Sequence, residues 1–124
     1  LGIKNLMGCV FPEKDLMHRD LDARLCDLAS VLRAKLTVID GLIGAERHEN
    51  AGSPVKSDVI IAGLDPVATD AVGAMVMGID PTRVEHLRLC HERGLGEHRP
   101  DHITLLGAPL AQVKKPYRKP WGFR

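Results

Sequence analysis

The sequence predicts an α/β fold, a mostly parallel sheet with helices packed on its faces, forming an incomplete part of a larger domain. Three observations carry that expectation. Short apolar runs rich in β-branched residues recur at 36–40, 58–62 and 103–106, lengths that suit buried strands. Segments of helical periodicity lie before and between them. A strand, helix, helix, strand order implies crossover connections, which set strands parallel and place helices on the sheet faces. At 124 residues with 44% hydrophobic content, the chain has the size of one domain.

Taken in order, GIKNLMG at 2–8 supplies either a further strand or the turn into a loop. Its abrupt start, with neither an initiator Met nor a basic leader, reads as a cut end whose preceding residues complete the sheet. Leu21, Leu25, Leu28, Ala29 and Leu32 form an apolar stripe, which predicts a helix over 21–34 with Asp20 capping its first turn. LTVID at 36–40 follows as a short buried strand ended by Gly41. Residues 41–57, with three glycines, a proline and no periodicity, predict a long loop. DVIIAG at 58–63 is the second strand. Asp65-Pro66 then opens a helix over 67–77, with the aspartate as cap and the proline in the first turn. Asp80-Pro81 repeats that grammar for a helix over 81–92 that stops before Gly94, and ITLLG at 103–107 is the third strand. Residues 1–113 make the α/β domain, and 114–124 a basic tail with prolines and aromatics.

The apolar runs fall far short of the roughly 20 residues that cross a bilayer, and the N-terminus does not resemble a signal peptide, so no membrane partner is expected. Cys9, Cys26 and Cys90 are odd in number and widely spaced, which gives neither a disulfide framework nor a C-x-x-C metal motif and fits a reducing cytoplasm. Net charge is +1, but residues 114–124 hold five basic residues and no acid, against 12 basic and 16 acidic in the first 113. A basic tail can touch nucleic acid or an acidic partner. The plainer reading is that Pro116 and Pro120 keep the segment extended while Tyr117, Trp121 and Phe123 lie along a neighbouring surface. With an acidic body, nucleic acid is the less favoured partner.

IKNLMGCV at 3–10, LTVIDGLIGAERHENAGSP at 36–54 and DVIIAGLDPVATDAVGAMVMGIDP at 58–81 together resemble the domain of unknown function 362 family. The resemblance continues through HLRLCHERGLGE at 86–97 and ITLLGAPL at 103–110, and covers about the later half of what the family usually contains. It implies no established reaction. Many members carry ferredoxin-like four-cysteine clusters beside this domain, which implies a redox context. This sequence departs there, since its three cysteines lack cluster spacing, and no iron–sulfur cluster is expected within the chain.

If the sheet is parallel, Asp40 and Asp65 fall just beyond the carboxyl ends of strands, where open α/β sheets place ligands, and Asp70 follows on the helix. Carboxylates gathered there suit a hard cation or a division of acid and base roles. Against this, Asp65 is a good helix cap and Asp70 can bond a nearby loop. Lys4 and Asn5 suit a carboxylate or phosphate oxygen, with a solvent-facing lysine as the alternative, and Gly41 permits close approach of a ligand or backbone. Glu46, His48 and Glu49 can reach over the sheet edge as a lid, or are simply solvated. His86 and Cys90, four apart on one helix with His91 adjacent and His98 and His102 downstream, have the spacing of a metal pair without a complete ligand set. Cys9 qualifies as a nucleophile only with a nearby base, for which His18 is the local choice.

Two functions compete on these residues. The first is part of an enzyme acting on a small anionic metabolite, with Lys4, Asn5 and Gly41 binding it and Asp40, Asp65 or Asp70 as acid, base or metal ligand. The second is a non-catalytic assembly module, a homo-oligomer or a partner to a missing N-terminal half, that uses the sheet edge and the basic tail. A convergent cleft favours the enzyme, and capped, dispersed aspartates favour the module.

Overall fold

Between Asp40 and Asp58 the sequence offers no helix to carry the chain back across a sheet, so strands joined here can pair only antiparallel. The computed structural model describes residues 1–11, 14–48 and 51–118, and in it β1 (Thr37–Ala45) and β2 (Pro54–Gly63) form a two-stranded antiparallel hairpin. The mostly parallel sheet expected from the sequence is not formed. Both strands extend into the segment expected as a 41–57 loop, leaving a connection of residues 46–53. Residues 103–106, expected as a third strand, belong to no strand. A helix does separate them from β2, but without a ladder partner the crossover geometry never arises.

Register explains the shape of the hairpin. Thr37 pairs with Gly63, Asp40 with Ile60 and Gly41 with Val59, and the register then shifts so that Ile43 faces Lys56. The extra residue is on β2, where Asp58 takes a left-handed backbone at φ 51°, a conformation aspartate tolerates better than branched residues. A Cβ on Gly41 would stand 2.8 Å from both Cγ1 and the carbonyl oxygen of Val59. The close approach that Gly41 permits is therefore that of the neighbouring strand.

Helices supply the core. They are α1 (Gly2–Asn5), α2 (Leu21–Leu32), α3 (Pro66–Val76), α4 (Glu85–Glu92) and α5 (Leu110–Val113), with 3-10 turns at Leu6–Cys9, Lys14–His18, Pro81–Arg83 and Pro100–His102. Residues 2–8, expected as a strand or turn, are thus helical, and the helix expected over 81–92 is divided at Val84. The buried cluster joins Ile3, Met7, Met17, Leu25, Cys26, Ala29, Val67, Ala71, Leu87 and Cys90. Fully burying one such Leu is worth about 1.5–3 kcal/mol. The hairpin packs on α3 through Ile39, whose Cδ1 lies against Gly73, and through Gly63 against Thr69.

Asp20 does not cap α2. Its backbone is left-handed at φ 56° and its side chain makes no cap hydrogen bond, whereas a capping side chain needs extended geometry at that residue. The tail lies along the body as far as it is described. Lys115 N–H donates to the Val76 carbonyl at 2.7 Å and Tyr117 N–H to that of Met77 at 2.9 Å, closing the end of α3. Tyr117 Oη and Ser57 Oγ lie 2.8 Å apart, and Arg118 N–H donates to Glu46 Oε1 at 2.9 Å. Trp121 and Phe123 lie outside the described residues.

Candidate functional site

The three candidate aspartates go to three separate places. Asp65 caps α3 from an extended backbone, as Asp-Pro predicts. Its Oδ1 accepts from Val67 N–H at 2.8 Å and Ala68 N–H at 2.9 Å, and its Oδ2 from Glu97 N–H at 2.9 Å. Asp70 is 1% exposed on α3 and accepts from Gly2 N–H at 2.6 Å and Ile3 N–H at 3.0 Å, holding the start of α1 against the core. Both carboxylates are spent on backbone donors. Asp40 is exposed in the middle of β1 rather than at a strand end, and its Oδ1 accepts from Leu42 N–H at 3.0 Å.

Lys4 is half-buried and Asn5 exposed, both on α1, and neither lines either of two cavities of about 470 Å³. Asp40 and Gly41 do share one of these, a cavity of about 470 Å³ between the inner face of the hairpin, α3 and the tail, closed in by Ile39, Ile61, Val76 and Tyr117. Of the lid residues, Glu46 is held by Arg118 and Glu49 lies outside the described residues.

His86 and Cys90 do not form a metal pair. His86 Nδ1 faces Asp22 Oδ1 at 3.1 Å, tying α4 to α2. Burial lowers the His86 pKa, with the Asp22 carboxylate acting in the opposite sense. Cys90 is fully buried, its thiol pushed up to about 12 by desolvation and then by the neighbouring Cys26. Such a thiol is an inert packing group.

A cluster that the sequence reading did not assemble lies one turn further on. His91, Glu97 and His98 each present a ligand atom, all within 4.8 Å of one another. Gly94 ends the turn after α4 with φ 70°, and the chain returns so that His91 Nδ1 meets the Gly96 carbonyl at 2.9 Å. Gly96 lies so close to the Asp65 carboxylate that any Cβ would overlap it. The α3 cap thereby fixes the backbone at Glu97. Arg99 grips Glu97 through Nε–Oε1 at 3.0 Å and Nη2–Oε2 at 2.7 Å, which holds that carboxyl well below the usual range. His98 is lowered by burial and then by the charge of His91. Glu97 and Asp65 also line a second cavity of about 470 Å³, with Thr69, His102 and the apolar side of β2. Glu97 was missed although His91, His98 and Arg99 lie within six residues of it, because the turn that gathers them is fixed by a backbone bond to Asp65, 32 residues away; the available signal was a helix with His91 in its last turn followed by two closely spaced glycines.

A mixed helical domain with, among the described residues, one hairpin, helix starts held by acids, and a His/Glu cluster beyond α4 defines no known reaction class. The sequence model of the family described as Domain of unknown function (DUF362) matches residues 1–75, more than half of the chain, and the chain belongs to that family. No curated protein and no solved structure matches it. The matched stretch takes in α1, α2, the hairpin and most of α3, and ends before α4 and the His91 cluster.

Proposed function

We propose that this chain is an assembly module that pairs with a second copy of itself through the outer face of its hairpin. One observation carries the reading. Val38 is 58% and Ile60 65% exposed on neighbouring strand pairs of a ribbon with both edges unpaired among the described residues, and Leu64, just past the end of β2, is 80% exposed. A two-stranded ribbon is marginal alone, and soluble monomers seldom leave contiguous apolar surface of this kind uncovered. Asp40, opposite Ile60, is the charge within that apolar surface, while Lys56 nearer the turn is paired with Asp58 of its own strand at 3.4 Å, so a two-fold axis that sets Asp40 of one copy near this pair of the other makes the contact twice. The dispersal of Asp65 and Asp70 into backbone caps supports the same choice over a catalytic cleft. A cytoplasmic setting accords with Cys26 and Cys90, which pack as thiols in the core.

Light scattering and sedimentation are the test. The wild-type chain is expected to dimerise, and Ile60→Lys to be monomeric with an unchanged far-UV spectrum. A wild-type monomer at the highest attainable concentration rejects the reading.

The reading as part of an enzyme for a small anionic metabolite retains one supporting feature, the cavity that Asp40 and Gly41 share with Ser57 and Tyr117. Its test is thermal shift with divalent cations and small carboxylates, in which Asp40→Asn must lose a stabilisation that the wild type shows.

A further inference from the structure

His98 sets the problem. It is 7% exposed, and its Nδ1 is buried without a hydrogen-bond partner. A buried polar atom left in this state costs free energy on the order of 1–3 kcal/mol, and an imidazole nitrogen has two common remedies, a proton donor or a metal ion. The groups nearest to it are side chains of the types that ligate metals. Glu97 Oε1 lies 3.8 Å from His98 Nδ1 and 3.5 Å from His91 Nδ1, and the two imidazole rings are 4.5 Å apart at 36°.

The His98 Nδ1 to Glu97 Oε1 separation of 3.8 Å is too long for a hydrogen bond but close to what two ligands keep around a small cation, and His91 presents a ligand atom within 4.8 Å of both. With bonds of about 2.0–2.2 Å to nitrogen and oxygen, tetrahedral ligand atoms stand roughly 3.4 Å apart. Supporting contacts of the sort that orient metal ligands are already made. His91 Nδ1 meets the Gly96 carbonyl, which leaves Nε2 as its lone-pair nitrogen when Nδ1–H donates. Glu97 is steadied by Arg99 on its side chain and by Asp65 at its backbone.

From this we infer that His91, Glu97 and His98 bind a divalent transition metal ion of the zinc type. Two imidazoles and one carboxylate form a three-residue set that leaves a fourth position for water or a small ligand. Glu97 opens that position towards the cavity shared with Asp65, Thr69 and His102, which would admit a ligand of modest size. The inference rests on different observations from the assembly reading, although Glu97 shares its cavity with Ile60 and Leu64, and on residues beyond the family match, which ends at residue 75.

The experiment titrates the full chain, stripped with chelator, with Zn²⁺ by calorimetry and with Co²⁺ by visible absorption. One ion per chain and the intense bands of tetrahedral Co²⁺ are expected. Glu97→Gln keeps an oxygen for Arg99 and is expected to weaken binding by at least the roughly ten- to hundredfold that even outer partners of a metal contribute. His91→Ala, on a half-buried position, provides a second ligand deletion if His98→Ala fails to fold, while Cys90→Ser is expected to bind as the wild type does. Absence of stoichiometric binding overturns the proposal. So does binding that survives both Glu97→Gln and His91→Ala, or that is lost in Cys90→Ser with the fold intact, because the ion would then sit elsewhere.

Discussion

Asp70 holds a carboxylate at 1% exposure with two backbone N–H groups on it and the first turn of the chain hanging from them. Replacing it by Ala leaves two donors unsatisfied next to the core, so Asp70→Ala is expected to lower stability by about 1–3 kcal/mol in urea denaturation. Asp40→Asn, on an exposed strand position whose one bond an amide oxygen can replace, is expected to stay within about 0.5 kcal/mol. His86 gives a pH signature. Burial holds its folded pKa below the usual value of 6.5, although Asp22 at 3.1 Å and the more distant Asp70 pull the other way. The unfolded chain therefore binds the proton more readily, and the stability His86 contributes is complete above pH 6.5 and is lost as pH falls through the lowered folded value. Melting temperature is expected to drop on acidification through that window, and His86→Gln to flatten this part of the profile. Asp65 was legible in the sequence because a cap acts on its own helix within three residues. Asp70 was not, since the N–H groups it holds come from 68 and 67 residues away, and Glu97 was not, since the turn that gathers its near neighbours is set by a backbone contact 32 residues away.

At the scale of elements, periodicity located α2 and α3 to within two residues, because an apolar stripe and an Asp-Pro start are local properties. Strand existence was equally visible in LTVID and DVIIAG. Direction was not read correctly, although the clue was in the chain: a Gly-rich connection without a helix cannot return a strand to parallel register. The extra strand length hid in GLIGA, whose glycines suggest a loop in isolation but here face a partner strand across a bulge. That close pairing makes a sharp test. In Gly41→Ala the new Cβ meets Val59 Cγ1 and the Val59 carbonyl, each at 2.8 Å, and the overpacking is expected to cost about 1–3 kcal/mol. Adding Val59→Ala removes the first contact and leaves the second, so the double variant is expected to recover only part of the loss. Full recovery would show that the two backbones are further apart than described. In α4, Leu87→Ala deletes a side chain of 1% exposure from the helical core and is expected to cost about 2–5 kcal/mol in the same assay.

The molecule as a whole is built in two unequal parts. Its buried apolar cluster draws on the helices and the N-terminal turns, and the strands contribute none of its members. The hairpin instead leans on α3 with one face, across a cavity of about 470 Å³, and leaves Val38 and Ile60 exposed on the other. Protection of backbone amides should follow that division, because local opening is least costly where few buried contacts must be given up. Native-state hydrogen exchange on a dilute sample is accordingly expected to show amides of β1 and β2 opening at lower free energy than those of α2 and α3. If the outer face pairs with a second copy, raising the protein concentration adds protection selectively, since binding stabilises only the state that presents the hairpin. The slope with concentration should be clear at Val38 and Ile60 and near zero at Leu25 and Leu87, and Ile60→Lys should abolish it without altering the helical amides. Hairpin amides as protected as those of α2 at every concentration would mean that the ribbon is secured by its own domain, and the outer face would then need no partner to stand.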